Sequence, residues 1–168
     1  MAGAALPLLL FLLLFFPAAS PMPYGGSAIT RSKLPRYAAV FGGNYYTMPP
    51  ASCWLVWDKE NTGDFADCEL AWTNYGTAAR LKRHMWNGML RKGKEQRIGH
   101  PTQKPLDVIK WAITKCPGEP QTIIDPFMGS GTTLRAAKDL GRQCVGIEKI
   151  ERYCEMAAKR LAQGVLGF

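Results

Sequence analysis

The stretch that most constrains this chain is residues 122–148, which reads as strand, glycine turn, helix, strand. Ile123 and Ile124 are β-branched and lead into Asp125-Pro126-Phe127-Met128-Gly129-Ser130-Gly131-Thr132-Thr133; residues 134–140 then have helical character, and Cys144-Val145-Gly146-Ile147-Glu148 returns to a buried strand. This is a βαβ unit. The glycines let the backbone turn sharply and approach a ligand closely at the helix end where free N–H groups and the positive end of the dipole gather. Glu148 closes the second strand roughly 20 residues beyond the turn, the separation at which a carboxylate accepts hydrogen bonds from a ribose laid over the first helical turn. Together these features describe a nucleoside-cofactor site. A dinucleotide fingerprint needs a third glycine three residues after Gly131, where Leu134 stands, and no Gly-Lys-Ser/Thr follows, so the pyrophosphate readings lose ground.

The chain has 168 residues, enough for one domain with a real core and hardly for two. Its net charge of +8 favours an anionic partner such as nucleic acid. Cys53, Cys68, Cys116, Cys144 and Cys154 are odd in number, with no C-x-x-C pair and no zinc spacing, which argues against a disulfide framework or a metal site. Cys68, Cys144 and Cys154 read as reduced core residues. The first thirty residues stand apart. Residues 6–16 are almost entirely Leu and Phe, interrupted by Pro7, and Pro17-Ala18-Ala19-Ser20 is like the cleavage region of a secretory signal. The run is shorter than the about 18 apolar residues of a membrane span, and residues 1–30 carry no charged side chain. Three readings stay open: a signal peptide, translated sequence fused ahead of a truncated gene, and a buried element.

From residue 31 onward the pattern is that of a soluble α/β domain. Tyr37-Ala38-Ala39-Val40-Phe41, stopped by Gly42-Gly43, and Cys53-Trp54-Leu55-Val56-Trp57, bounded by Pro49-Pro50 and Asp58, read as interior strands. Residues 65–74 alternate well enough for a third. Trp54 and Trp57 are expected to pack before they do anything else. Arg80, Lys82, Arg83, Arg91, Lys92, Lys94 and Arg97 form a basic region facing one acid, Glu95. Such clusters neutralise phosphates and bind a duplex without sequence information, or else form an ordinary solvated face. In His100-Pro101-Thr102-Gln103-Lys104-Pro105, Thr102 is placed to cap a helix over residues 106–114, with Pro105 in its first turn. Residues 150–161 have apolar residues at helical spacing and should pack on the sheet.

Taken together, the turn, the segment His100 to Pro105 and their order resemble the amino-methylating DNA methyltransferases of the β arrangement, whose turn reads Asp-Pro-Phe-x-Gly-Ser-Gly-Thr-Thr. Gly42-Gly43-Asn44-Tyr45-Tyr46 and Cys53-Trp54-Leu55-Val56-Trp57-Asp58-Lys59 are similar to the middle of phage-type members. The resemblance implies a Rossmann-like α/β fold that depends on S-adenosylmethionine. It implies cofactor contacts by His100, Thr102, Gln103, Lys104, Asp125, Pro126, Phe127, Gly129, Ser130, Gly131, Thr132, Thr133 and Glu148, with Glu148 on the ribose and Lys104 as a point charge for the cofactor carboxylate. It also implies methyl transfer to an exocyclic amine in double-stranded DNA, adenine N6 before cytosine N4, with the basic cluster as DNA contacts and a cytoplasmic location with the DNA.

The family's catalytic motif, Asp/Asn/Ser-Pro-Pro-Tyr/Phe, holds the amine and stacks the extruded base on an aromatic ring. Here only Pro21-Met22-Pro23-Tyr24-Gly25 is similar, leaving Tyr24 as a catalytic remnant, and no Asp or Glu precedes Asp58. The expectation is therefore a leader and degraded remnant over residues 1–36 and a methyltransferase domain over 37–168, with a target-recognition-like region at 78–99 and a cofactor half at 100–168. The sheet is expected to be incomplete, lacking its catalytic-motif strand, so that a second subunit or self-association covers the exposed edges. The other reading is a catalytically silent fragment that binds cofactor or DNA.

Overall fold

A computed structural model of the chain describes residues 10–15, 36–61, 66–86, 95 and 103–162. In chain order the elements are β1 (Leu10–Phe15), β2 (Tyr37–Phe41), β3 (Trp54–Asp58), β4 (Cys68–Thr73), β5 (Arg80–Arg83), α1 (Leu106–Thr114), β6 (Thr122–Asp125), α2 (Thr132–Asp139), β7 (Gln143–Gly146) and α3 (Glu151–Ala162). The strands form one seven-stranded sheet in the order β5-β3-β4-β2-β1-β6-β7. Only β4 runs against the rest: it is antiparallel to β2 and β3, while β1 is parallel to β2 and β6, β3 to β5, and β6 to β7.

The interior gap expected from the sequence is filled. Residues 10–15 of the apolar leader run enter the sheet as β1, with Phe11 to Phe15 in register with Tyr37 to Phe41 on one side and Leu10 to Leu12 with Thr122 to Ile124 on the other. A run of apolar residues without charge suits a position flanked by parallel neighbours. Among the described residues no helix is long and apolar enough to cross a membrane.

Period-two alternation divides β2 between two cores. Ala39 and Phe41 join Leu55, Trp57 and Ala71 beneath Val108, Ile109, Ala112 and Ile113 of α1 and Ala136 and Ala137 of α2. Ala38 and Val40 pack with Trp72 on the other side, covered by Met48, Ala51 and Trp54. The loop over that face lies close, because a Cβ on Gly43 would stand 2.6 Å from Trp72 Cβ. Trp57 is a core residue, as expected, and so is Trp72, whereas Trp54 is half-buried and packs against the Trp72 cluster. Trp57 Nε1 donates to the His84 carbonyl at 2.8 Å and Trp72 Nε1 to that of Pro49 at 2.7 Å, so neither buries an unpaired donor.

Two details differ from the sequence reading. All five cysteines are free, but Cys53 and Cys116 are the buried ones, whereas Cys68, Cys144 and Cys154 are half-buried. Cys68 is the first residue of β4, at the end of that strand, and Cys144 lies in the edge strand β7. Residues 80–83, expected only as charge, form β5, because pairing with β3 supplies a ladder that local alternation does not announce.

Candidate functional site

Because every strand but β4 points the same way, the ends of β2, β3, β5, β6 and β7 open onto one edge of the sheet. Ligands of open α/β sheets bind beyond this carboxyl edge. Asp125 ends β6, and its Oδ1 accepts the Phe127 N–H at 3.0 Å, which bends the chain into the turn. Met128 N–H donates to the Ile147 carbonyl at 3.1 Å, Ile147 N–H to that of Asp125 at 2.8 Å, and Gly131 N–H to that of Met128 at 2.8 Å. The turn is thereby tied to the end of β7. Gly131, at φ +77°, precedes α2, and a Cβ there would stand 2.6 Å from Ala157 Cβ on α3. Only glycine satisfies both the left-handed backbone and that approach.

Glu148 lies where the spacing predicts. Its Oε2 accepts the Gly129 N–H at 3.1 Å and its Oε1 the Ile150 N–H at 2.9 Å. Each carboxylate oxygen has a further lone pair, so the side chain faces the glycine turn with acceptor capacity left for ribose hydroxyls. Phe127 at the turn and Val145 and Ile147 at the end of the neighbouring strand segment are each more than half exposed, unlike most large apolar side chains. A carboxylate held at a glycine turn, with exposed apolar side chains in the same two segments, fits a nucleoside.

Asp125 is fully buried, and burial pushes its carboxyl up to about 6 against the pull of the Thr133 hydroxyl and the Phe127 N–H, with Glu148 adding to the rise. Ser130, Thr132 and Thr133 are also buried. Arg160 Nη1 donates to Thr132 Oγ1 at 2.8 Å and to the Ser130 carbonyl at 3.4 Å, so these two residues are held from behind the turn by α3. Pro126 is half-buried beside exposed Phe127.

Within the other motif, Gln103 is buried and donates to Glu95 Oε1 at 3.2 Å. Lys104 Nζ lies 3.1 Å from Glu69 Oε2, and Lys59 Nζ 2.9 Å from Glu69 Oε1. Burial of Glu69 opposes its ionisation, but the two ammonium groups outweigh it and hold the carboxyl below its ordinary range. His100 and Thr102 lie outside the described residues. The cap of α1 comes from elsewhere: Pro105 precedes the helix without a side-chain cap, and Leu106 N–H donates to Glu95 Oε2 at 2.6 Å. Of the basic cluster, Arg80, Lys82 and Arg83 line the edge strand β5, with Arg83 Nε 3.3 Å from Asp58 Oδ2. Arg91, Lys92, Lys94 and Arg97 lie outside the described residues, as does Tyr24. Among the described residues no group of His, Cys, Asp or Glu is placed to hold a metal ion.

Sequence reasoning missed Glu69, Glu95 and Arg160 as functional neighbours. Two of the three carried a signal. Glu95 is a lone acid within a basic run, and Arg160 shares the i, i+4, i+7 stripe of Tyr153 and Ala157, the buried face of α3.

A family model described as DNA methylase matches residues 52–159. The chain belongs to the N6/N4 DNA methylase family. Its methylase relatives include the type II methyltransferase M2.LlaDCHI of Lactococcus lactis subsp. cremoris, 43% identical over 83 residues, or 49% of this chain and 31% of the relative. M.HinfI of Haemophilus influenzae is 36% identical over 101 residues, 54% of this chain and 28% of that protein. The matches thus span less than a third of these curated methylases. Among solved structures, the M1.HpyAVI–SAM complex superposes with a TM-score of 0.58 at 19% identity, covering 91% of this chain and 88% of that one. The cytosine-N4-specific PvuII DNA methyltransferase does so at 0.55 and 12%, covering 78% and 65%. These likenesses establish the Rossmann-like methyltransferase fold for this chain.

Proposed function

We propose that this methylase binds S-adenosylmethionine at the turn between β6 and α2 and serves methyl transfer to an exocyclic amine of DNA, adenine N6 in preference to cytosine N4. The observation that carries the reading is Glu148 Oε2 facing the Gly129 amide at 3.1 Å, an acid and a glycine turn brought together across 19 residues at the carboxyl edge. Glu148 accepts hydrogen bonds from the ribose hydroxyls. The N–H groups at the start of α2 meet the polar part of the cofactor, and Phe127 and Ile147 offer apolar contact to the adenine. Lys104, drawn to this edge by Glu69, adds positive charge for the cofactor carboxylate. The cofactor supplies an electrophilic methyl group. Arg80, Lys82 and Arg83 on β5, with Arg91, Lys92, Lys94 and Arg97, neutralise DNA phosphates, and Tyr24 stacks on the target base. SAM in the related M1.HpyAVI complex and the DNA specificity in the PvuII name support both ligands.

The absence of any Asp or Glu ahead of Asp58 favours a second reading: a catalytically silent chain that binds cofactor and DNA, or a subunit whose partner supplies the catalytic acid. Incorporation of labelled methyl groups into duplex DNA separates the two, and nucleoside analysis of the product separates N6-methyladenine from N4-methylcytosine. Cofactor binding is tested by titration calorimetry with S-adenosylhomocysteine. Glu148→Ala removes charged hydrogen bonds worth about 1.5–3 kcal/mol and should weaken binding about tenfold to a hundredfold. Gly129→Val, at φ +50°, should abolish it. Equal affinity in wild type and Glu148→Ala sinks the assignment.

A further inference from the structure

Arg160 is an arginine on the buried face of α3, only 9% exposed. Its guanidinium joins segments distant in the chain. Nη1 reaches Thr132 Oγ1 and the Ser130 carbonyl within the glycine turn, and Nη2 donates to Glu95 Oε1 at 2.8 Å. Glu95 in turn accepts from Gln103 Nε2 through the same oxygen and from the first N–H of α1 through Oε2. Arg135, one turn into α2, donates from Nη1 to the Arg160 carbonyl at 3.1 Å. A buried ion pair of this kind contributes little net stability, because desolvation consumes most of its attraction; its better-attested use is to fix one arrangement of the groups around it. What it fixes here is the Ser130–Gly131–Thr132 peptide relative to Gln103 and the start of α1.

We propose that Arg160 and Glu95 are positioning residues for the cofactor turn: the pair sets the direction of the turn amides, and Glu95 acts on them through Arg160 without touching them. This rests on the reading of that turn as the S-adenosylmethionine site. On this proposal Glu95 affects cofactor affinity although its hydrogen bonds among the described residues go to Arg160, Gln103 and Leu106 and none to the turn.

The test is a double-mutant cycle on S-adenosylhomocysteine affinity with the full chain, run well below each variant's unfolding temperature. Glu95→Gln keeps the shape but removes the charge and turns one of the two acceptor oxygens into a donor, and Arg160→Gln removes the guanidinium. Each should weaken binding about fivefold or more, and the double variant should bind no more weakly than the worse single one, since the two act through one contact. Arg160→Lys, which keeps the charge and one donor direction, should recover part of the loss and also serves if Arg160→Gln does not fold. A purely structural role lowers the unfolding temperature and leaves the affinity of the folded protein alone. Affinity of Glu95→Gln within twofold of wild type, or losses that multiply in the double variant, overturns the proposal while the cofactor site stands. Failure of the wild-type chain to bind removes the cofactor site, and this inference with it.

Discussion

Asp125 shows how one residue carries both the turn and a pH dependence. Its Oδ1 fixes the Phe127 amide, yet the carboxyl is closed off from solvent and titrates near 6 in the folded chain against 3.8 in its ordinary setting. The folded state therefore holds this proton more tightly than the unfolded chain. Its contribution to stability is complete below about pH 4 and is lost as pH rises through about 6, a decline of at most about 2–3 kcal/mol. Asp125→Asn, which keeps the acceptor oxygen and cannot ionise, should flatten that segment of the stability curve. Urea unfolding midpoints of both proteins from pH 4 to pH 7 give the comparison, and parallel curves refute the assignment. Much at this scale was legible in the sequence. Glu148 and the turn glycines stand together where spacing and backbone freedom place them. The partner of Lys104 was not legible, since Glu69 reaches it from another strand.

At the scale of elements, local pattern placed β2, β3, β4, β6, β7 and the helices close to their observed bounds, because each has a period or a punctuating Gly or Pro of its own. β5 escaped, being charged at three of its four positions and held as a strand by its ladder to β3. Its position at the sheet's edge suits charge, which also discourages pairing with other chains. Arg80 is exposed there, whereas Arg83 is engaged by Asp58. Arg80→Ala should weaken duplex binding at low salt and reduce the slope of log affinity against log salt by about one, the release of the counterions of one phosphate. Lys115→Ala, at the end of α1 and ahead of β6, should leave the slope unchanged. Fluorescence anisotropy over a salt series measures both, and equal slopes for Arg80→Ala and wild type place the DNA elsewhere.

For the whole molecule, β1 decides whether there is one sheet or two. β2 and β6 each pair with β1 and not with each other, so without it the strands separate into β5-β3-β4-β2 and β6-β7. Leu12→Pro removes an N–H from a strand paired on both sides and should lower the thermal midpoint and broaden the transition. An unchanged melting curve by circular dichroism shows that the halves hold together through their helices alone.

The amino-acid sequence by itself determined the βαβ unit, the turn and its acid, and the kinship these imply, because all of them are written within residues 122–148, where spacing dictates geometry. Only the tertiary structure decided that residues 10–15 of the leader run lie inside the sheet, that Glu95 caps α1, and that Arg160 braces the turn. Those contacts join residues far apart along the chain, Arg160 and Glu95 being separated by 65. A pairing of that kind depends on which surfaces meet after the elements have formed, and no local period records it.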